Sequence, residues 1–246
     1  MKRFGLIGAS LGHSLSADLF ARKFKAAGLK DHRYDLYELA DIEEFPTLLA
    51  ERKDLVGLNV TIPYKRAVMP LLDAIDPQAL AVGAVNTISI KEGRTTGHNT
   101  DVAGFRGTLL PLIGKQRPRA LVLGTGGASR AVTHVLRELD MPWSLVSRDH
   151  TRGDLTWDLL DRTVVGVCTL IVNTTPLGMA PHADTLPDLP YEAIGPRHIL
   201  IDLVYNPENT IFLQRGRERG ARVANGRRML ELQAEAAWAI WQGAQP

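Results

Sequence analysis

Residues 120–131 read Ala-Leu-Val-Leu-Gly-Thr-Gly-Gly-Ala-Ser-Arg-Ala, an aliphatic run followed at once by a glycine-rich turn. The run predicts a buried strand, and the residues after the glycines predict a helix. In such a junction the first glycine allows a tight turn and the next lets the backbone approach a pyrophosphate. The helix N-terminus supplies amide donors. The stretch therefore predicts a dinucleotide-binding site, with a purely structural turn as the alternative.

The end of the following strand indicates which dinucleotide is bound. Ser129 stands where the usual fingerprint has its third glycine, so the motif is a variant. An NAD site usually places Asp or Glu at the end of the second strand, whereas here Ser147 and Arg148 occupy that end. These two side chains can bind a 2′-phosphate by charge-assisted hydrogen bonds, which predicts NADP. Asp149 opposes this interpretation, because a carboxylate aimed inward would repel the phosphate.

A second informative stretch, residues 58–65, reads Leu-Asn-Val-Thr-Ile-Pro-Tyr-Lys. Its alternation predicts a strand whose aliphatic side chains, including Ile62, enter a core while Asn59 and Thr61 share the other face. Lys65 follows where parallel sheets place ligand-facing groups. An amide, a hydroxyl and an ammonium together suit a small polyhydroxylated substrate. From these residues alone, a solvated sheet face followed by a surface lysine is the simpler interpretation.

Composition excludes several classes of function. The 246 residues are 45% hydrophobic and 23% charged, with 29 basic and 27 acidic side chains, so the chain reads as soluble and globular, with one or two domains. This balance indicates neither a nucleic-acid nor a membrane surface. The single cysteine, Cys168, rules out an internal disulfide and fits the cytoplasm; its apolar surroundings predict a buried thiol rather than a nucleophile.

Predicted strands and helices alternate along the chain, which indicates an α/β fold of two lobes with mostly parallel sheets. The predicted strands are 4–7, 35–39, 58–62, 87–90, 94–96, 120–123, 144–147, 170–173, 199–203 and 222–224. The predicted helices are 14–27, 42–51, 65–72, 102–112, 129–139 and 229–241. The lobe boundary is expected within 101–118, and the final helix is expected to pack back on the first lobe.

Several other polar residues lie at predicted turns or on the final helix, and most have a simple structural explanation. Ser14 and Ser16 could cap the first helix, Asn86 could be a turn residue, and Asp101 could complement a helix dipole. Gln233 lies on an otherwise apolar helix face, where a buried amide needs hydrogen-bond partners.

Taken together, these polar segments form an ordered series. In chain order the segments are His13-Ser14-Leu15-Ser16, Asn59-Val60-Thr61-Ile62-Pro63-Tyr64-Lys65, Gly83-Ala84-Val85-Asn86-Thr87, Asn99-Thr100-Asp101, Gly124-Thr125-Gly126-Gly127-Ala128-Ser129-Arg130, Asn173-Thr174-Thr175-Pro176-Leu177-Gly178-Met179, Asp202-Leu203-Val204-Tyr205-Asn206-Pro207 and Met229-Leu230-Glu231-Leu232-Gln233. The series resembles the shikimate dehydrogenase family over essentially the whole chain. Ser10 and Ala17 depart from positions where that family often has proline, and Ser147-Arg148-Asp149 replaces its commoner Asn-Arg-Thr.

The resemblance implies a fold, a reaction and a set of site residues. The reaction is the reversible reduction of 3-dehydroshikimate to shikimate by NADPH, in aromatic amino-acid (chorismate) biosynthesis. The implied domains are a substrate-binding domain at 1–101, a Rossmann-like NADP-binding domain at 102–225, and a returning C-terminal helix at 226–246. The implied catalytic pair is Lys65 and Asp101. The implied substrate-binding residues are Ser14, Ser16, Asn59, Thr61, Lys65, Asn86, Asp101, Tyr205 and Gln233. The implied cofactor-binding residues are Gly124, Gly126, Gly127, Ala128, Ser129, Ser147, Arg148, Thr174, Val204 and Gly226.

The residue types suit this chemistry. Hydride arriving at a carbonyl builds alkoxide charge, and an ammonium can donate the proton that neutralises it. We therefore assign proton transfer to Lys65 and orientation of Lys65 and the substrate hydroxyl to Asp101, leaving open how the two share the proton. The alternatives are a quinate/shikimate dehydrogenase using NAD and a non-catalytic metabolite-binding homologue. We expect a monomer or homodimer without a metal, a nucleic-acid partner or a membrane partner.

Overall fold

Each of two structural units builds a six-stranded sheet of its own. The computed structural model describes residues 1–12 and 14–243; His13, part of the first polar segment, lies outside the described residues. Unit 1 comprises Met1–Thr100 and the chain from Gln233 onward, and unit 2 comprises Asp101–Leu232. The predicted α/β class is confirmed.

Unit 1 contains a mixed sheet in the order β2-β1-β3-β5-β6-β4. The strands β1, β2 and β3 are parallel, while β5 runs antiparallel to both β3 and β6. Its strands are β1 (Lys2–Gly8), β2 (His32–Glu38), β3 (Leu55–Val60), β4 (Ala74–Ile75), β5 (Thr87–Lys91) and β6 (Arg94–His98). The helices of this part are α1 (Ser16–Ala26), α2 (Phe45–Glu51) and α3 (Pro77–Val82).

The structure changes the interpretation of the strand in residues 58–65. Leu58 and Val60 enter a core that includes Phe45, as the alternation predicts. Ile62, in contrast, is 62% exposed, so its predicted burial is wrong. The strand ends at Val60, and beyond that residue the alternation of the pleat no longer directs side chains inward.

The helix predicted at 65–72 is also wrong. This segment consists of turns and a short 3₁₀ helix at Met69–Leu71. The carbonyl of Lys65 accepts the N–H of Val85 at 2.7 Å, whereas an α-helix would use that carbonyl for Met69. The N–H of Met69 instead bonds to Arg66 in a 3₁₀ pattern. Val85, 20 positions further along the chain, has therefore taken the place of Met69 as the hydrogen-bond partner of the Lys65 carbonyl.

Short elements of unit 1 follow recognisable local signals. The predicted hairpin is confirmed: Glu92 and Gly93 both have positive φ, 52° and 78°, as a two-residue type I′ turn requires. Helix α3 was not predicted, although Asp76 caps it by accepting the N–H of Ala79 at 2.7 Å and Gly83 ends it at φ 70°. An aspartate before Pro and a glycine after the helix are the usual boundary signals.

Unit 2 is a parallel sheet in the order β12-β11-β10-β7-β8-β9. This is the order of doubly wound dinucleotide-binding folds, in which the chain leaves β7 in one direction and later returns to its other side. The strands are β7 (Ala120–Leu123), β8 (Trp143–Ser147), β9 (Leu155–Thr156), β10 (Leu170–Asn173), β11 (Ile199–Asp202) and β12 (Arg222–Ala224). The helices are α4 (Asp101–Ile113), α5 (Gly127–Glu138), α6 (Arg162–Val167) and α7 (Ile211–Glu218), and the final helix α8 (Arg227–Trp241) begins in unit 2.

The core of unit 2 contains the single cysteine. Cys168 packs with Leu121, Ile171 and Leu200 in one buried cluster, and only 4% of its surface is exposed. Burial raises the pKa of its thiol, which keeps the sulfur protonated and weakly nucleophilic. The predicted buried thiol is confirmed.

The second half of helix α8 belongs to unit 1, which confirms that the final helix returns to the first part of the chain. Its apolar residues share a core with Phe4 and Phe20. The indole N–H of Trp241 donates to the carbonyl of Ile88 at 3.0 Å. The same indole occupies the space of a side chain at Gly57, where any Cβ would collide with it. None of the helices in the described ranges is long and apolar enough to cross a membrane.

Candidate active site

The glycine turn after β7 is shaped by its neighbour β10. Gly124 has φ 104°, and a Cβ there would lie 3.0 Å from side-chain atoms of both Thr174 and Thr175. The Thr174 hydroxyl donates to the carbonyl of Leu123 at 2.6 Å, which ties the two strand ends together. A Cβ at Gly126, in contrast, would meet nothing within 4 Å. The turn is therefore packed on one side and leaves the backbone at Gly126 accessible to a ligand.

Ser129 closes this turn. Its hydroxyl donates to the carbonyl of Gly126 at 2.7 Å, and 2% of the residue is exposed. Gly127 and Ala128 form the first turn of α5 ahead of it. Ser129 thus stabilises the loop where the common fingerprint has a glycine, which explains why the variant motif keeps the same strand–turn–helix geometry.

The other predicted cofactor residues of unit 2 lie at strand ends. Ser147 is the last residue of β8 and is buried, and Arg148 after it is exposed. Val204 and Gly226 are neighbours, because the N–H of Gly226 donates to the carbonyl of Val204 at 3.0 Å. A Cβ at Gly226 would collide with the carbonyl of Leu203, so glycine is required for this backbone approach.

A buried carboxylate that sequence reasoning missed organises the same edge of the sheet. Asp202 is fully buried and accepts hydrogen bonds from Asn173, Val204 and Thr210, the last at 2.6 Å. Burial raises its pKa to about 6, although these three donors act in the opposite direction. Asp202 thereby joins the ends of β10 and β11 to Thr210, which caps α7. Its place at the end of a buried strand was the signal that could have found it.

The two serines of the first polar segment lie at the start of α1. The Ser14 hydroxyl oxygen accepts the N–H of Ser16 at 3.2 Å, while Leu15 at the N-cap position makes no side-chain cap. Ser14 is half-buried and Ser16 is 8% exposed. In the described part of the chain neither hydroxyl donates a hydrogen bond, so both can donate to an anionic ligand.

Asn59 lies deeper than the sequence indicates. Its carbonyl oxygen accepts the hydroxyl of Tyr34 at 2.8 Å, and its amide donates to the Thr87 hydroxyl at 3.2 Å and the Asn86 carbonyl at 3.3 Å. The Tyr34 ring stacks on Phe20 with centroids 4.5 Å apart. The polar face of β3 is therefore covered by protein, and both amide hydrogens of Asn59 have partners within it. Tyr34 was not predicted, because its partner lies on another strand.

Asn86, Thr100 and Gln233 form a second hydrogen-bonded group in unit 1. The Asn86 amide oxygen accepts the backbone N–H of Thr100 at 2.7 Å, and its nitrogen donates to the Thr100 hydroxyl at 3.0 Å. The Gln233 amide oxygen lies 3.4 Å from the Thr100 hydroxyl and 3.5 Å from the Asn86 nitrogen. The Thr87 hydroxyl bonds to Asn86 at 3.1 Å and so links this group to Asn59. The structure therefore brings together three predicted residues: Asn59, Asn86 and Gln233.

Three of the remaining predicted residues, Thr61, Lys65 and Asp101, adjoin these groups along the chain, whereas Tyr205 does not. Thr61 and Lys65 are half-buried on the turn after β3, and the Lys65 carbonyl is bonded to Val85, next to Asn86. Asp101 follows Thr100 directly, begins α4 and is 5% exposed. Tyr205 is half-buried just after β11 in unit 2. No cluster of three or more potential metal ligands occurs among the described residues.

A doubly wound parallel sheet with a glycine turn after its first strand is typical of dinucleotide-binding enzymes, and the same chain carries a buried polar group in its other unit. The family model for the shikimate dehydrogenase substrate binding domain matches residues 6–88. The NADP(+) shikimate dehydrogenase of Shouchella clausii is 35% identical, over all of this chain and 94% of its own length. The chain belongs to the shikimate dehydrogenase family.

Solved structures give the same result. The shikimate 5-dehydrogenase of Thermus thermophilus, in complex with NADP(H) and shikimate, is 34% identical, with a TM-score of 0.88 over all of this chain and 95% of its own. A quinate dehydrogenase of Corynebacterium glutamicum in complex with NAD is 30% identical, with a TM-score of 0.87 over all of this chain and 95% of its own. The fold is therefore shared by relatives that differ in substrate and cofactor.

Proposed function

We propose that this chain catalyses the reversible, NADPH-dependent reduction of 3-dehydroshikimate to shikimate. Family membership supports the reaction, and one observation about the site carries it. The chain keeps Lys65 and Asp101, and the group Asn86–Thr100–Gln233 holds the backbone directly before Asp101. A binding protein without catalysis would not need this lysine–aspartate pair.

Unit 1 is proposed as the substrate-binding unit. The hydroxyls of Ser14 and Ser16 bind the substrate carboxylate, and Thr61, Asn86 and Gln233 bind ring hydroxyls. The substrate-binding role of Tyr205, a residue of unit 2, stays a prediction. These roles fit the available hydroxyl donors at the start of α1 and the amide oxygen of Gln233 beside Asn86. Asn59 contributes chiefly by fixing Asn86 and Thr87, because its amide hydrogens already have protein partners.

Unit 2 is proposed as the NADP-binding unit. Gly124, Gly126, Gly127, Ala128 and Ser129 present the backbone turn and the first turn of α5 to the pyrophosphate. Ser147 and Arg148 bind the 2′-phosphate, and Thr174, Val204 and Gly226 line the remainder of the cofactor site. We keep the predicted division of functions: residues 1–101 bind the substrate, residues 102–225 bind NADP, and residues 226–246 form the returning C-terminal helix.

The chemistry divides between the dinucleotide and the protein. The bound nicotinamide supplies the hydride. The Lys65 ammonium donates a proton to the developing alkoxide and accepts it in the oxidative direction. The Asp101 carboxylate orients Lys65 and accepts a hydrogen bond from the substrate hydroxyl. Position and local field are the protein's contributions to the rate.

The proposal is tested by mixing the purified chain with 3-dehydroshikimate and NADPH and following the absorbance of NADPH. Oxidation of NADPH supports the proposal, and no turnover by folded protein contradicts it. Lys65→Ala, which removes the proposed proton donor, is the matched negative control. The cytoplasmic location and the monomeric or homodimeric state stay predictions.

A quinate/shikimate dehydrogenase using NAD is the second candidate, because Asp149 follows closely after the strand end at which NAD sites place a carboxylate. Quinate carries an additional hydroxyl on the carbon that bears the carboxylate, and excluding an added hydroxyl is a weak form of selection. The oxidation rates of shikimate and quinate, each with NADP and with NAD, separate the two candidates. A higher kcat/KM for quinate with NAD than for shikimate with NADP would favour the second.

A further inference from the structure

The loop between β8 and β9 is folded tightly back on β8. The N–H of Asp154 donates to the carbonyl of Leu145 at 2.9 Å, and the Asp154 carboxylate accepts the N–H of Leu145 at 2.8 Å. A Cβ at Gly153 would lie 2.8 Å from that of Ser147, so the two ends of the loop are in close contact. Residues 148–152 are therefore presented on a closed turn at the end of β8.

The one carboxylate within this turn is held by Thr151. Oδ1 of Asp149 accepts the backbone N–H of Thr151 at 2.9 Å and its hydroxyl at 2.7 Å. These two hydrogen bonds hold the pKa of the Asp149 carboxyl below its usual value, so the group is ionised near neutral pH. The negative charge that conflicts with NADP binding is thus present, but it is directed toward Thr151.

The two arginines of the turn are exposed, and the charge of Arg152 helps to lower the pKa of the Asp149 carboxyl. Arg148 and Arg152 are exposed, and within the described parts of the chain neither forms an ion pair with a carboxylate. Asp149 lies beside Arg148 in sequence, and its carbonyl accepts the N–H of Arg152 at 3.0 Å. A released Asp149 side chain could pair with either guanidinium or accept a ribose 2′-hydroxyl, as carboxylates do in NAD sites.

We infer that Thr151 determines the cofactor preference, because its hydroxyl keeps the Asp149 carboxylate away from the 2′-phosphate position and leaves the neighbouring arginines unpaired. The inference rests on the proposed function and deepens it: the preferred ligand is a dinucleotide carrying a 2′-phosphate. A carboxylate at the end of β8 is then compatible with NADP in this chain, provided that a hydroxyl at position 151 holds it.

The test uses Thr151→Val, which keeps the branched shape and removes the hydroxyl, with Thr151→Ser as the matched control that keeps it. Dissociation constants for NADPH and NADH are measured on the full chain without substrate. We expect Thr151→Val to lower the NADPH-to-NADH affinity ratio about fivefold, the effect of one pair of unit charges in water at about 4 Å. Thr151→Ser should keep the wild-type ratio. An unchanged ratio in Thr151→Val overturns the inference.

A second comparison shows whether the effect passes through the carboxylate. Asp149→Asn keeps an oxygen that can accept from Thr151 but removes the charge. In the Asp149→Asn background, Thr151→Val should no longer change the affinity ratio. If Thr151→Val still lowered the NADPH-to-NADH affinity ratio when combined with Asp149→Asn, the inference would also be overturned, since the hydroxyl would then act without the Asp149 charge.

Failure of the inference is distinguishable from failure of the proposed function. A wild-type chain that binds NADPH but does not reduce 3-dehydroshikimate contradicts the function and leaves the binding test valid. A wild-type chain that reduces 3-dehydroshikimate while Thr151→Val keeps its cofactor preference contradicts the inference alone. Equal binding of NADPH and NADH by the wild-type chain overturns the inference as well.

Discussion

The side-chain amide of Asn86 accepts the backbone N–H of Thr100 at 2.7 Å, one residue before Asp101. Asn86 directly precedes β5, and Thr100 directly precedes α4. The bond therefore holds the start of α4 beside the start of β5. Both residues are buried, at 2% and 3% exposure. An asparagine that alone resembles an ordinary turn residue is therefore the residue that positions the start of α4.

Asn86→Ala should destabilise the protein and reduce its activity. The substitution leaves the buried N–H of Thr100 without its acceptor, which costs about 1–3 kcal/mol. Urea unfolding measures the stability change, and kcat measures the loss of alignment before Asp101. Asn209→Ala is the control, since Asn209 is exposed and its side chain bonds the exposed Arg217; its effect should stay within about 0.5 kcal/mol. Equal stability of the two variants would contradict the role of Asn86.

Lys65→Ala should lower kcat by orders of magnitude while changing the affinity for the substrate much less. The ammonium acts on charge that develops only as hydride is transferred, so its loss raises the barrier more than it weakens ground-state binding. Steady-state kinetics with 3-dehydroshikimate and NADPH make the distinction. Replacing the exposed neighbour, Arg66→Ala, should leave kcat near wild type. A raised KM at constant kcat would make Lys65 a binding residue instead.

Arg148→Ala should weaken NADPH binding far more than NADH binding. The guanidinium is proposed to pair with the 2′-phosphate, which NADH lacks. Titration of each dinucleotide gives the two dissociation constants. Arg197→Ala removes another exposed arginine of the same unit and should change neither. Equal losses for both cofactors in Arg148→Ala would remove the argument for a 2′-phosphate contact.

Tyr34→Phe should raise KM for 3-dehydroshikimate and destabilise the fold by about 1 kcal/mol. The phenol hydroxyl donates to Asn59 at 2.8 Å in a buried position, and its removal leaves the amide oxygen of Asn59 with one partner fewer. Kinetics and urea unfolding provide the two readouts. Tyr37→Phe is the matched variant on the same strand, where the hydroxyl lies 3.5 Å from Asp35. Similar values for both variants would contradict a positioning role for Tyr34.

Asp202→Asn should change how stability depends on pH. Burial raises the pKa of Asp202 to about 6 in the folded protein, above an unfolded value of about 3.9. Between about pH 4 and pH 6 the Asp202 carboxyl is therefore protonated in the folded protein and ionised in the unfolded chain. The stability that this proton contributes is fully present below about pH 4 and is lost as the pH rises through 6.

The asparagine variant does not titrate there, so its stability relative to wild type should increase by up to about 3 kcal/mol from pH 4 to pH 7. Chemical unfolding of both proteins at several pH values measures this difference. The exposed Asp184→Asn provides the comparison for a carboxylate without such burial. A difference between Asp202→Asn and wild type that does not vary with pH would show that Asp202 is ionised without cost in the fold.

Local sequence determined the parallel sheet of unit 2 almost completely. Strands β7, β10 and β12 begin and end where the aliphatic runs predict, because apolar stretches between polar breaks have no alternative to burial. The glycine turn was also predicted from the sequence, since the positive φ at Gly124 favours glycine at that position. Short elements such as β9 and α6 were missed because they carry too few residues for a periodic pattern.

Tertiary structure alone decided the features that depend on partners far along the chain. Lys65 lies on a turn rather than in a helix because Val85 takes its carbonyl, and Asn59 is covered because Tyr34 and Thr87 satisfy its amide. Asp202 acquires its raised pKa from burial of its carboxylate beside Asn173 and Thr210, which other elements bring to it. The sequence by itself determined which polar groups the chain carries and the order of its elements. Which of those groups face a ligand and which bond to one another depended on contacts across strands, since a hydrogen bond needs its partner at about 3 Å whatever the separation in sequence.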